Sequence, residues 1–562
     1  MSLPSISAKE SLSRTSTPKQ TPPSSVATTA DDDEIRQILA ERENASTHRL
    51  RDLVFTKQFT TFDRQNPLSA ESPFRGFFTL FWLAIALMLL KVAASNYKVY
   101  GSVVGKAEML HFMFDRDVII LGLTDGVMVG STVVGLGLQK AVAKEWISWR
   151  RTGWIIQNLW QTAFLFSILA WTWYREWPWT HTIFMVMHTL TFVMKQHSYA
   201  FYNGYLSQLN RRKRLLERKL EHLRSTESSD EAPSPVVDVL RASGVENTQE
   251  PNGQIQRRPP LNSRTLTDPT KENSHLSAVV TAIDDETSVN DDAKSEFTTA
   301  IENELAALTK ELHGKTTNPE KQYPNNLTLA NWADYTIIPT LCYELEYPRQ
   351  KHINWWYVAE KSAAALGGIF VMIVVSQAYI HPVVLSTLAM KDDRIATRWR
   401  EFPWVVSDLL FPVMLEQLLT WWVVWECVLN VLAEVTGFAD RNFYGTWWNS
   451  VSFDEYARDW NRPVHNFLLR HVYNSSISSF HVSRTTATLV TFTLSALVHE
   501  LLMFCMFKKV RGYLFTFQLF QIPLAWLSRT KVLKDRKTLG NLMFWFGLFI
   551  GPSILGSLYL IV

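Results

Sequence analysis

The chain has 562 residues, with 22 Trp, 32 Phe and 17 Tyr among them, and a formal net charge of only +3. So small a charge excludes the strong basic field of a nucleic-acid-binding protein. The three cysteines, Cys342, Cys427 and Cys505, lie far apart in or near apolar stretches, which excludes a disulfide framework and a Cys/His metal cluster and leaves free thiols.

Residues 1–70 begin with Ser, Thr and Pro and continue into "DDDEIRQILAERENASTHRL", with no apolar leader. That composition cannot bury a core, so a disordered cytosolic tail with at most a short helix is expected. Beyond it the chain turns apolar. A bilayer core needs roughly 20 apolar residues per helix. Hydropathy places nine candidate spans, at about 76–96, 117–142, 153–174, 179–198, 357–384, 404–432, 486–507, 512–528 and 541–561. The fold class expected is therefore all-α, a polytopic membrane protein with about nine transmembrane helices. The first four spans fall within 71–205 and the others within 326–562.

Between them, 206–325 is rich in Ser, Thr, Asp and Glu and is expected to be a largely disordered cytosolic linker. One piece departs from this: Phe297, Ile301, Leu305, Leu308 and Leu312 recur at helical spacing. Basic residues gather before the first span, after the fourth ("NRRKRLLERKLEHLR") and before the ninth ("SRTKVLKDRK"). The positive-inside rule puts all three on the cytosolic face. Lys508, Lys509, Arg511 and part of "KDDRIATRWR" then fall on the opposite face. With this topology the sequons at Asn44, Asn326 and Asn474 should be unmodified. No internal repeat of the kind seen in many transporters is visible.

Two stretches could carry chemistry. The apolar span "TLVTFTLSALVHELLMFCMF" holds His499 and Glu500. Ionisable groups at membrane depth are costly and default to functional candidates; the structural alternative is a histidine satisfied by a carbonyl. A neutral imidazole there can take a proton from an alcohol as it attacks a carbonyl. Ser495, one turn earlier on the same face, could orient the ring, or only bond back to its own helix. It could also be an acylated nucleophile with His499 as its base, but no nucleophile elbow is present and direct transfer is simpler. Glu500 points elsewhere and needs a partner or a proton. The second stretch is the polar and aromatic segment 433–484, containing "FYGTWWN" (443–449) and "WNRPVHNF" (460–467). Such aromatics suit a membrane interface, while Asn461 and His465, four residues apart and followed by Arg470 and His471, could meet an anionic, partly apolar ligand.

At these residues the sequence resembles the acyl-coenzyme A:cholesterol acyltransferase branch of the membrane-bound O-acyltransferases, and fungal sterol O-acyltransferases in particular. The resemblance rests on "FYGTWWN", "WNRPVH" and "SALVHE", supported by "SPFRGFF", "MKQHSYAFYNGYL" and "PTLCYELEYPR". It covers residues from about 70 to the C-terminus apart from the 206–325 linker. It implies the family's membrane fold and an endoplasmic-reticulum enzyme that moves a fatty acyl group from acyl-coenzyme A to a sterol 3-hydroxyl. It also implies a homo-oligomer, dimer or tetramer. By motif position His499 matches the catalytic histidine and Asn461 the asparagine beside it. Ser495 supports the histidine. Trp460, His465, Phe443, Tyr444, Trp447, Trp448 and Asn449 fall on the substrate-binding motifs. Acyl-coenzyme A is a co-substrate, and neither cofactor nor metal is implied.

One position departs from the family pattern: FYxDWWN has an acid where this chain has Thr446, which can replace only a helix-capping role. Asp440 or Asp454 is the expected compensation, unless the acid is dispensable. Diacylglycerol acyltransferases share the chemistry and are the nearest rival; the His before Ser in "KQHSY" favours the sterol branch. A transporter with a proton-relay histidine or a sterol sensor are the rivals of another class.

Overall fold

The computed structural model describes residues 55–561, apart from 64, 67, 68, 70–74, 106–107, 109–116, 226–290, 315, 317, 481, 529 and 531–535. The disorder expected for 1–54 and for 226–290 lies outside the described residues. Residues 45–217 and 301–562 cluster into one compact unit. The described residues 218–225 and 291–300 belong to a second, in which they form helix ends.

The described chain is helical, and its backbone pairings outside helices are two isolated bridges. In chain order the helices are α1 (Arg75–Tyr100), α2 (Asp117–Ser131), α3 (Val133–Ala143), α4 (Trp154–Arg175), α5 (Trp179–Ser225), α6 (Asp291–His313), α7 (Leu329–Ile337), α8 (Trp355–Val375) and α9 (His381–Ala389). Then come α10 (Ile395–Trp421), α11 (Leu429–Thr436), α12 (Phe453–Asp459), α13 (Arg462–Phe467), α14 (Ser475–Phe480), α15 (Arg484–Phe507), α16 (Tyr513–Ser528) and α17 (Lys537–Ile561). Wider π-turns at 149–153, 376–380, 422–428 and 468–474 are spliced into these runs.

Six helical runs among the described residues are long and apolar enough to cross a membrane: Gly76–Tyr100, Asp117–Ala143, Trp355–Ala389, Ile395–Thr436, Arg484–Phe507 and Lys537–Ile561. The other three expected spans are helices at the expected places, α4, the first half of α5 and α16, but are not among these six. α4 carries Gln157, Asn158 and Gln161; α5 carries His181, His188, Lys195, Gln196 and His197; α16 has 16 residues and contains Pro523. Outward on α1, Phe77, Leu80, Leu83, Leu87 and Leu90 form an exposed stripe suited to lipid. α10 packs along α17, and α15 against α16 and the 468–474 turn. Close approach is made possible by small residues, as at Gly368 of α8, where a methyl group would lie 2.6 Å from Val423.

Two expected boundaries shift. Residues 55–63, placed in the tail, pack into the core unit: Gln58 pairs with the 438–441 strip in both directions (3.1 Å each), and Asp63 accepts from the Tyr357 hydroxyl at 2.6 Å. Phe55 stacks edge-on with Tyr347 and Phe438, which explains the order of a segment that looks polar. In the expected linker, α5 runs on past 206, with Leu206, Leu209, Leu215 and Leu216 buried. Ile301, Leu308 and Leu312 are buried on α6, as their helical spacing predicts, and Arg212 pairs with Glu304 at 2.8 Å to tie the two helices.

Candidate active site

α15 begins at Ser483, whose hydroxyl accepts from Thr486 N at 3.1 Å, and ends at Lys508 in the left-handed region (φ 55°). Its inward face is Ala487, Ala496 and Glu500. His499 is half-buried, and its Nδ1 lies 2.7 Å from the main-chain carbonyl of Ser495. A carbonyl only accepts, so Nδ1 carries the proton and Nε2 holds the lone pair. The ring is thus held by the Ser495 backbone rather than by the Ser495 hydroxyl. Glu500 finds the partners it requires at the start of α16. Its carboxylate accepts from Gly512 N (2.6 Å), Phe515 N (3.1 Å) and Arg511 N (3.3 Å), and from the Tyr559 hydroxyl (3.1 Å). A carboxylate at a helix N-terminus satisfies free amides and faces the positive end of the helix dipole.

The two aromatic motifs fold onto each other. Gly445 N donates to the Asp459 carbonyl (2.8 Å), Arg462 N to the Phe443 carbonyl (3.0 Å), and the Arg462 guanidinium grips Asp459 (2.9 Å) and Asn442. A side chain at Gly445 would lie 2.4 Å from the Asp459 carboxylate, so a larger residue there would displace the Asp459–Arg462 pair. Trp447 and Trp460 meet edge-on at 4.7 Å, and Trp421 and Trp425 close over Trp460 at 6.0 and 5.9 Å. Phe443, Tyr444 and Trp447 are buried; Tyr444 donates to Glu426 (2.6 Å), itself paired with Lys361. Trp448 stacks on Phe62 at 4.8 Å, and its carbonyl accepts from Asn541 and Trp545, 3.1 Å each. Asn449 and Thr446 are exposed.

Thr446 makes no capping bond. Of the two carboxylates expected to compensate, Asp440 accepts from Thr56 N and Asn442 N, and Asp454 pairs with Arg458. The carboxylate set against Gly445, next to Thr446, is that of Asp459.

Asn461 caps α13: its Oδ1 accepts from Val464 N at 3.2 Å, with Pro463 in the first turn, where a missing N–H costs nothing. This fixes the amide so that Nδ2 remains a donor. His465 lies one turn on. Burial, and after it the Arg458 guanidinium, push its pKa below the usual value, with Asp459 opposing. Among the described residues no hydrogen bond joins Asn461 to His499. They are related through packing: α13 runs directly into the 468–474 turn that lies against α15.

Sequence reasoning missed a buried polar network that joins two of the supporting stretches, 194–206 and 339–349, to the 468–474 turn. Ser198 Oγ bonds His471 Nε2 at 2.8 Å and accepts from Tyr343 N at 2.8 Å. Arg470 reaches Glu344 (2.7 Å) and the Tyr343 carbonyl (3.2 Å). Lys195 donates to the carbonyls of Tyr335 (2.8 Å) and Ile338 (2.7 Å). Asn326 bonds Asn203 and the Tyr343 hydroxyl and is buried. Burial, then His197 and Arg470, hold His471 well below the ordinary histidine pKa. The signal for this network was the helical spacing of Lys195, Ser198, Tyr202 and Asn203 along α5.

Residues 139–561 match the family described as MBOAT, membrane-bound O-acyltransferase. The chain is 34% identical over 91% of its length to sterol O-acyltransferase 2 of Candida albicans, covering 79% of that protein. Against probable sterol O-acyltransferase 1 of Schizosaccharomyces pombe it is 34% identical over 91%, covering 86%. Diacylglycerol O-acyltransferase 1 of Arabidopsis thaliana is 33% identical over 41% of this chain and 43% of its own.

Proposed function

Because the chain belongs to the membrane-bound O-acyltransferase family, we propose that it is a sterol O-acyltransferase, moving a fatty acyl group from acyl-coenzyme A to a sterol 3-hydroxyl. What carries this reading is likeness along nearly the whole chain to proteins named for that activity, against likeness over less than half of it to a diacylglycerol enzyme.

His499 is the general base in this reading. Its Nε2 takes the hydroxyl proton as the sterol oxygen bonds to the thioester carbonyl carbon. The tetrahedral intermediate collapses, the C–S bond breaks, and the coenzyme A sulfur leaves with the proton returned by His499. The free Nδ2 of Asn461 is the donor for the developing oxyanion, a role worth about 10²–10³ in rate in a well-studied protease. Trp460 and His465, with the aromatic turn of Phe443, Tyr444, Trp447, Trp448 and Asn449, form the wall and scaffold along which the acyl-coenzyme A enters. Written this way, the transfer needs neither cofactor nor metal. The protein works as a homo-oligomer in the endoplasmic-reticulum membrane, crossing it nine times, with α4, the first half of α5 and α16 completing the six longer spans.

The test is acyl transfer in microsomes from cells lacking steryl-ester synthesis, with labelled oleoyl-coenzyme A and ergosterol, cholesterol or diacylglycerol as acceptor. Label in steryl ester, lost in His499→Ala at matched expression, supports the reading. Label in triacylglycerol alone overturns the sterol assignment, and no transfer overturns the enzymatic one.

A further inference from the structure

Residues 55–63 run along the aromatic turn. Thr56 N donates to the Asp440 carboxylate at 2.9 Å, and Gln58 exchanges backbone bonds with Ala439 and Arg441. Phe62 N donates to the Tyr444 hydroxyl at 3.4 Å. The Phe62 ring stacks on Trp448 at 4.8 Å. Among the described residues it is the nearest ring to that indole, with Trp447, Trp421 and Tyr444 at 5.7, 6.3 and 6.4 Å. Phe62 therefore touches two members of the "FYGTWWN" motif, one by its backbone and one by its ring.

The anchors of this segment are buried. Asp63 accepts from the Tyr357 hydroxyl at 2.6 Å and faces the Arg441 guanidinium at 3.9 Å, and Thr60 accepts from Asn430 at 3.4 Å. Tyr444 donates to Glu426 at 2.6 Å, and Glu426 is paired with Lys361. The Tyr444 hydroxyl thus gives its one proton to Glu426 and uses a lone pair for Phe62 N. A buried charge stripped of its partner is strongly destabilising, so these anchors hold. Phe62 itself is only half-buried and can be changed without removing any of them.

Trp447 is enclosed, whereas Trp448 is half-buried and lies between exposed Thr446 and Asn449 in the same turn. Holding a half-exposed indole in one orientation costs side-chain entropy, which a packed neighbour must offset. We propose that Phe62 is a positioning residue for the acyl donor: through Trp448 and Tyr444 it holds the wall against which acyl-coenzyme A binds, and so sets affinity for that substrate without acting on the chemistry at His499. The proposal rests on the reading of the aromatic turn as the acyl-coenzyme A entry.

The experiment is equilibrium binding of a non-transferable oleoyl-coenzyme A thioether to the purified full-length protein, alongside steady-state acyl transfer. It compares wild type, Phe62→Ala, Phe62→Tyr, Trp448→Ala and the Phe62→Ala, Trp448→Ala double variant. Phe62→Ala is expected to bind the thioether about 3- to 10-fold more weakly, the scale of one aromatic contact. The KM for acyl-coenzyme A rises to match, while kcat and the KM for the acceptor stay within about twofold of wild type. Phe62→Tyr keeps the ring and restores binding. The double variant binds no more weakly than Trp448→Ala, because without the indole Phe62 has nothing to hold. Unchanged affinity in Phe62→Ala, equal damage to kcat and to both KM values, or additive losses in the double variant overturns the proposal and leaves the acyl-coenzyme A reading standing. A wild type that binds no thioether overturns that reading, and the proposal with it. If Phe62→Ala cannot be isolated, Phe62→Leu keeps bulk without a ring face and gives the same comparison with Phe62→Tyr.

Discussion

His499 donates its Nδ1 proton to the main-chain carbonyl of Ser495, one helical turn earlier and 2.7 Å away. The bond belongs to the backbone, so it persists whatever side chain stands at 495, and it fixes the tautomer in which Nε2 is the base. Ser495→Ala is therefore expected to keep acyl transfer within a few-fold of wild type, while His499→Ala loses roughly 10²–10⁴-fold. Steady-state transfer rates check both. An acyl group trapped on Ser495 and released by hydroxylamine would defeat direct transfer.

Asn461 has two separable duties, a cap through Oδ1 and a donor through Nδ2. Asn461→Asp keeps the cap and removes the donor, so its melting temperature should match wild type while turnover falls by about 10²–10³. Asn461→Ala removes both and should also lose about 1 kcal/mol of stability. If the Asp variant turns over normally, the oxyanion role is wrong.

Glu500 holds the first turn of α16 and the Tyr559 hydroxyl. Glu500→Ala leaves amide donors without their acceptor and should cost at least about 1–3 kcal/mol. Glu500→Gln keeps one acceptor oxygen and should cost less, and Tyr559→Phe less again. Thermal unfolding of the three variants ranks them.

His465 titrates below its usual value because burial and the Arg458 guanidinium disfavour its charged form, with Arg462 acting in the same sense and Asp459 against. The unfolded chain then binds the proton more readily than the folded one, so acid favours unfolding. Stability should fall as pH drops below about 6.5 and level off once the folded-state value has been passed. His465→Gln should flatten that part of the curve of melting temperature against pH; an unchanged slope would remove His465 from the explanation.

Hydropathy was enough to place the helices because each run of apolar residues states its own solvent. It could not tell which runs were long and apolar enough to cross, since α4 and α5 carry Gln161, His188, Lys195 and Gln196, whose partners lie on other helices. The turn joining "FYGTWWN" to "WNRPVH" was legible as two motifs but not as one object, because Gly445 and Asp459 meet only in three dimensions. Ser198 and His471 are 273 residues apart, and no local pattern announces that pair. The four π-turns were equally silent. Yet that at 422–428 carries Glu426, and that at 468–474 carries Arg470 and His471, all buried. The segment 55–63 read as tail because its order comes from Tyr347, Phe438 and Tyr357 rather than from itself.

The pairing of Gln58 with Asp440 has a consequence of counting. Two segments that share a backbone bridge lie on the same side of a bilayer, so the chain between them crosses an even number of times. Six crossings between residues 66 and 438 satisfy this, as do the four longest runs alone; five do not. α4 and the first half of α5 therefore cross together or not at all, and a reporter fused between them, compared with one fused before α1, would read out which.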